Sequence, residues 1–190
     1  MKYLPFLIVV LILALGGLII MRQLRKPLET VSSQSLPMQE IKLTSSAFEH
    51  NQEIPEKYAA KNGEVSPPLS ALGIPLGTQS LTLIMHDPDA PREGGWTHWL
   101  RFNISWNSKD GTWSIREGTE PQGTAGKGTG GNLTYHGPRP PSGTHRYIFT
   151  LYALDRKLLL EEGATKSEVE KFMEGHILGK GELTGLYSAR

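Results

Sequence analysis

Beyond residue 40 the chain alternates between short apolar runs and clusters of glycine and proline. Short apolar or alternating runs separated by turn residues are typical of a β-rich fold. The predicted strands are Ile41–Ala47, Leu81–His86, His98–Ile104 and Arg146–Leu154. In the last of these, Tyr147 and Phe149 face one way and Ile148 and Thr150 the other. Because both faces are largely apolar, we expect a central strand.

One helix and one long loop are also indicated. Thr165–Glu168 has the form of a capping box, in which the threonine and the glutamate satisfy free donors of the first helical turn. A stripe at helical spacing follows, formed by Val169, Phe172, Met173 and His176. The glycine-rich stretch Gly123–Gly131 predicts a structured loop, and Gly181–Tyr187 a terminal strand or extended segment.

The N-terminal segment has a different pattern, because Tyr3–Met21 contains no charged residue. At about 1.5 Å per residue, a helix of this length nearly crosses a hydrocarbon core of roughly 30 Å, so we expect a transmembrane helix. The alternative is a cleaved signal peptide, which has a shorter apolar stretch and a small-residue cleavage site. The expected organisation is an anchor or uncleaved signal at 1–26, a solvated linker at 27–39 and a folded domain at 40–190.

We therefore expect a single-pass membrane protein. The side of the membrane on which the domain lies is a separate question. Arg22, Arg25 and Lys26 follow the apolar segment and Lys2 precedes it, which by the positive-inside rule favours a cytoplasmic domain. The Met-Lys-apolar opening is common in exported proteins and favours the opposite side. We expect the domain to be extracytoplasmic.

Composition removes several classes of function. The 190 residues are 38% apolar and 21% charged, as in ordinary globular proteins. Four basic residues precede the first acidic one, Glu29, so residues 27–190 carry 16 basic and 19 acidic side chains. This negative balance argues against a nucleic-acid-binding surface. The absence of cysteine excludes disulfides, thiolate metal sites and a cysteine nucleophile.

Two proline-stiffened loops carry the candidate chemistry. Residues 86–99 hold Asp87 and Asp89 before His98, and residues 135–147 end in His145 at the start of a strand. The carboxylates are interpreted either as turn-stabilising groups or as part of an anion pocket formed with the histidines and loop amides. A third possibility is a zinc or manganese site built from His86, Asp87, Asp89, His98 and His145. A serine hydrolase has less support, because no G-x-S-x-G elbow is present.

Three motifs in this order resemble the phosphatidylethanolamine-binding protein family, and more narrowly its prokaryotic Raf-kinase-inhibitor-like branch. They are D-P-D-A-P at Asp87–Pro91, H-W at His98 and Trp99, and G-P-x-P-P-x-G-x-H-R-Y at Gly137–Tyr147. The resemblance extends from about residue 40 to 188. It implies a mainly β fold in which a central antiparallel sheet packs on a smaller sheet, with a few peripheral helices.

The resemblance also implies a small pocket for an anion such as phosphate or a phospholipid headgroup. The ligand-binding residues it implies are Asp87, Asp89, His98, His145, Tyr147 and Arg139. Imidazoles and loop amides would donate to the anion, and the two aspartates would orient the imidazoles. His176 is interpreted mainly as a packing residue, and His86 and His136 as ordinary surface or edge residues.

The function expected from these residues is a membrane-anchored binding module, without catalytic residues, metal or cofactor. Family analogy adds a possible protein partner, a kinase or a protease, whose activity it would modulate. The alternative is a hydrolytic or metal-dependent enzyme that uses the same His/Asp cluster.

Overall fold

The computed structural model describes residues 38–106 and 110–190. The expected transmembrane helix at Tyr3–Met21 lies outside these residues. Within them no helix is long and apolar enough to span a bilayer, and the α-helix that they do contain, Lys166–Met173, has eight residues, about 12 Å of length against a core of about 30 Å. For the residues that the structure describes, the transmembrane helix included in the predicted fold class and the predicted single-pass membrane location are therefore wrong. The boundaries at residues 26 and 39 stay predictions.

The mainly β part of the prediction fits the structure. The strands are β1 (Gln39–Glu40), β2 (Lys42–Thr44), β3 (Gln52–Glu53), β4 (Leu69–Leu72), β5 (Ser80–Asp87), β6 (Trp96–Ile104), β7 (Thr112–Ile115), β8 (Thr124–Ala125), β9 (Thr144–Leu154) and β10 (Ile177–Ser188). The larger sheet has the order β1-β10-β9-β5-β6-β8, and β3 also pairs with β10. A smaller sheet has the order β2-β4-β7. Pairing is antiparallel except where β1 and β3 lie parallel to β10.

Strand β9 is central, as its apolar pattern predicts, and it pairs with β5 on one side and β10 on the other. Tyr147, Phe149 and Leu151 are fully buried on one face of this strand. They join the main core, which also contains Leu43 and Leu69 from the smaller sheet. The terminal strand β10 is longer than predicted, because it pairs with β9 from Ile177 to Ser188.

The opposite face of the larger sheet is covered by α1 (Lys166–Met173). The predicted capping box is confirmed, since Thr165 accepts from the backbone N–H of Glu168 and the Glu168 carboxylate accepts from Thr165. Val169 and Met173 are buried in a second core, whereas Phe172 is 45% exposed. His176 follows the end of the helix, so the predicted stripe is only partly a packing face.

The sheet brings three strand ends together at one edge of the domain. Asp87, the last residue of β5, pairs with Trp96, the first residue of β6. His86 pairs with Ile148, near the start of β9. Because both pairings are antiparallel, the end of β5 meets the beginnings of β6 and β9, and the two proline-stiffened loops extend from the same edge.

Candidate functional site

Asp87 lies at the centre of this edge and is 3% exposed. Its Oδ1 accepts the backbone N–H of Asp89 at 2.8 Å, an Asx-type bond in the turn that Pro88 begins. Its Oδ2 lies 2.8 Å from Nδ1 of His145, the second residue of β9. The carboxylate therefore stabilises the turn and orients one imidazole at the same time.

Asp89 points in another direction. Its carboxylate accepts from the backbone N–H of Arg146 and forms a two-pronged bond with the guanidinium, at 2.9 Å from Nε and 2.7 Å from a terminal nitrogen. The hydrogen bond from the guanidinium is the main reason that the pKa of Asp89 falls to about 2. Asp89 was expected to orient an imidazole, but its partner in the structure is Arg146.

His98, in β6, is held from two sides and is 4% exposed. Its Nδ1 lies 2.9 Å from the backbone carbonyl oxygen of His136. Its ring stacks on the His136 ring with 5.7 Å between the ring centres, and it meets the ring of Tyr147 edge-on with 5.1 Å between the centres. Burial lowers the pKa of His98 to about 4, and the hydrogen bond to the carbonyl of His136 opposes this lowering only in part.

Tyr147 is fully buried next to His98, and its hydroxyl has no hydrogen-bond partner within the described residues. Burial raises the pKa of this hydroxyl well above its ordinary value, and the negative charge of Asp87 adds to that effect. The group is therefore a neutral phenol behind the imidazole.

A cavity of about 360 Å³ opens at this edge. It is lined by Asp87, Ala90, Pro91, Arg92, Trp96, His98, His136, Arg139 and Pro141. Three of the six predicted ligand-binding residues, Asp87, His98 and Arg139, are in this lining. The other three lie outside it: His145 and Tyr147 are buried beside Asp87 and His98, and Asp89 is paired with Arg146.

His136 was interpreted as a surface or edge residue, but it forms part of the cavity wall. Its Nδ1 lies 3.0 Å from one carboxylate oxygen of Glu64, and the other oxygen accepts the backbone N–H of Gly137 at 2.7 Å. Its backbone N–H donates to the carbonyl of His98 at 3.1 Å. Its position next to the Gly137–Tyr147 motif is the sequence signal that indicates this role.

The remaining candidate histidines lie elsewhere. His86 contacts the hydroxyl of Thr97 at 3.3 Å, and His176 pairs with Asp155 at 2.9 Å. Within residues 38–106 and 110–190, no group of three or more His, Asp and Glu side chains is placed to hold a metal ion.

Comparison with known proteins agrees with the motifs. A model of the phosphatidylethanolamine-binding protein family matches residues 44–188. The chain is 47% identical over 147 residues to a UPF0098 protein of Methanothermobacter thermautotrophicus, covering 76% of this chain and 97% of that protein. It is 43% identical over 151 residues to a UPF0098 protein of Chlamydia muridarum, covering 77% of this chain and 98% of the relative.

The solved structures that are similar to this one include the following two. A putative phosphatidylethanolamine-binding protein homolog from Chlamydia trachomatis superimposes with a TM-score of 0.73 at 40% identity, covering 80% of this chain and 99% of the other. YbcL of E. coli, described as a member of the mammalian family, gives a TM-score of 0.72 at 24% identity with the same coverage, and supports the fold alone.

Proposed function

This chain belongs to the phosphatidylethanolamine-binding protein family, and from that premise we propose that it is a binding protein whose cavity takes a small anion, a phosphate group either free or attached to a larger molecule. The observation that carries the proposal is the cavity of about 360 Å³ at the meeting point of β5, β6 and β9. Pockets of a few hundred Å³ with a few convergent polar groups are the usual form of small-molecule sites.

The charges at the mouth support an anionic ligand. Arg92 and Arg139 line the cavity and are exposed, so their guanidinium groups can form bidentate bonds with phosphate oxygens. The guanidinium of Arg92 also lies 5.7 Å from the centre of the Trp96 ring, within the range of a cation–π contact. These cations attract the ligand, and the buried Asp87 and His98 determine how its inner atoms are oriented.

The size and apolar walls support a ligand larger than the anion itself. Ala90, Pro91, Trp96 and Pro141 form much of the lining. A phosphate group fills only part of this volume, so the rest of the cavity suits an apolar substituent on the bound group.

Binding has more support than catalysis. The described residues that line the cavity include no serine, threonine, cysteine or lysine that would serve as an activated nucleophile. The imidazole of His98 is fixed to a backbone carbonyl and not to a nucleophile. A hydrolytic enzyme that uses the same histidines is the alternative outcome of the test below. Modulation of a kinase or protease stays a prediction of the family resemblance.

Calorimetry with inorganic phosphate tests the proposal on the full-length protein. His98→Ala should weaken binding about tenfold to a hundredfold, as expected for loss of one hydrogen bond to a charged group. His176→Ala is the matched control, because this histidine pairs with Asp155 away from the cavity, and it should bind like the wild type. Absence of phosphate binding, or equal binding by His98→Ala, would contradict the proposal.

A turnover assay with an aryl phosphate separates the two candidate functions. A binding protein should give no multiple turnover. Turnover that is present in the wild type and in His176→Ala but lost in His98→Ala would favour the enzyme.

A further inference from the structure

Three histidines at this edge use the same ring nitrogen for contacts within the protein. Nδ1 of His98 bonds to the carbonyl of His136, at 2.9 Å. Nδ1 of His136 lies 3.0 Å from Glu64, and Nδ1 of His145 lies 2.8 Å from Asp87. In His98 and His136, which line the cavity, the nitrogen left for a ligand is therefore Nε2.

The partner of Nδ1 determines what Nε2 of His98 can do. A backbone carbonyl only accepts hydrogen bonds, so Nδ1 of His98 must carry the hydrogen. In a neutral ring Nε2 is then an acceptor. The ring stays neutral near physiological pH, since its pKa is lowered to about 4.

Asp87 presents acceptors as well. Its Oδ1 accepts the backbone N–H of Asp89, its Oδ2 lies 2.8 Å from Nδ1 of His145, and each oxygen keeps a second lone pair for a further donor. Asp87 and His98 are 3% and 4% exposed, so they form the inner end of the cavity. The outer residues Arg92 and Arg139 are donors, and the inner end accepts.

We propose that the cavity selects an oxyanion that carries a proton, namely a phosphate group with a P–OH, as in inorganic phosphate or a phosphate monoester, and rejects sulfate and phosphodiesters. This inference rests on the proposed anion-binding function and specifies its ligand class. The negative oxygens face the guanidinium groups at the mouth, and the P–OH donates to Nε2 of His98 or to the carboxylate of Asp87.

Sulfate is the ligand that differs from hydrogen phosphate chiefly in the missing P–OH hydrogen. Near neutral pH, hydrogen phosphate and sulfate have the same tetrahedral shape and the same double charge, but only hydrogen phosphate has a hydrogen to donate. A bound sulfate would place an oxygen lone pair against the lone pairs of His98 and Asp87, and these buried acceptors would have no partner from the ligand. A site built to bond a substrate hydroxyl discriminates strongly against an analogue that lacks it.

The experiment compares four probes, two inorganic anions and two methyl esters, with glycerophosphoethanolamine as an additional ligand, by calorimetry on the full-length protein at constant ionic strength. Inorganic phosphate should bind at least about tenfold more tightly than sulfate, as expected for one unsatisfied buried group. Near pH 6, where a monoester is partly protonated, methyl phosphate should bind at least about tenfold more tightly than dimethyl phosphate.

A variant tests the acceptor directly. In His98→Gln the side-chain amide can turn its NH₂ towards the ligand, so the phosphate-to-sulfate ratio should fall towards one. The matched control His176→Gln should keep the wild-type ratio. If His98→Gln fails to fold, the ratio measured on the wild type decides alone.

The outcomes separate this inference from the function on which it rests. If sulfate and phosphate bind equally, the P–OH requirement is wrong and anion binding stands. If none of the four probes binds, both are wrong. Glycerophosphoethanolamine is a diester with an ammonium donor; if it binds as tightly as methyl phosphate, a lipid headgroup is the better ligand class and the P–OH assignment is overturned.

Discussion

Nδ1 of His98 donates to the backbone carbonyl oxygen of His136 at 2.9 Å, across 38 residues of sequence. The backbone N–H of His136 donates in return to the carbonyl of His98 at 3.1 Å. This reciprocal pair joins β6 to the second proline-stiffened loop. It forms one wall of the cavity and fixes the ring nitrogen that His98 offers to a ligand.

The depressed pKa of His98 predicts a pH dependence of stability. The ring has a pKa of about 4 in the folded protein and about 6.5 when unfolded. Between these values the unfolded state binds the proton more readily, so the free energy of unfolding should fall as pH falls from about 6.5 to about 4, by about 3 kcal/mol in total. Urea unfolding at several pH values across this range measures the change in the free energy of unfolding. His98→Gln should flatten the profile, and His176→Gln should not; a profile unchanged by His98→Gln would contradict the assignment.

Removing the carboxylate of Asp87 should lower the free energy of unfolding. Asp87→Ala leaves Nδ1 of His145 without its buried partner and removes the Asx bond to Asp89. We expect a loss of about 3 kcal/mol in the free energy of unfolding. Asp155→Ala, which breaks the more exposed pair with His176, should cost less than about 1 kcal/mol. Equal losses in the two variants would show that Asp87 has no special structural role.

The backbone at Gly137 should tolerate no side chain. A Cβ there would collide with the carbonyl oxygen of Tyr58 and the nitrogen of Ala60. Gly137→Ala should therefore lower the free energy of unfolding by about 3 kcal/mol or more. Gly94 has a φ of +76° with open space around it, so Gly94→Ala should cost only about 1 kcal/mol of backbone strain. Thermal unfolding of both variants provides the comparison, and a larger loss for Gly94→Ala would refute the steric argument.

The parts of the fold that depend on local patterns were predictable from the sequence. Tyr147 and Phe149 alternate with Ile148 and Thr150, and this period of two predicts β9 because successive side chains point to opposite faces. The capping box at Thr165 predicts the start of α1 in the same way. The smaller sheet was harder to predict from the sequence, because β2 and β7 have only three and four residues.

The parts of the site that depend on turns and on distant contacts were not predictable. Asp87 and Asp89 are two residues apart, which in a strand would place them on one face, but β5 ends at Asp87 and the following turn directs Asp89 to Arg146. His136 enters the wall through its backbone bonds with His98, and no local pattern encodes that contact. The two proline-stiffened loops and the family motifs indicated this edge, but not the partners that its side chains have in the structure.

The location of bound phosphate decides whether the cavity is the anion-binding site. A crystal structure of the full-length protein grown with inorganic phosphate would show where the anion lies. We expect phosphate in the cavity, with one oxygen within about 3 Å of Nε2 of His98 and others facing Arg92 or Arg139. Phosphate bound only at other surfaces, with the cavity free of it, would show that the cavity is not the anion-binding site.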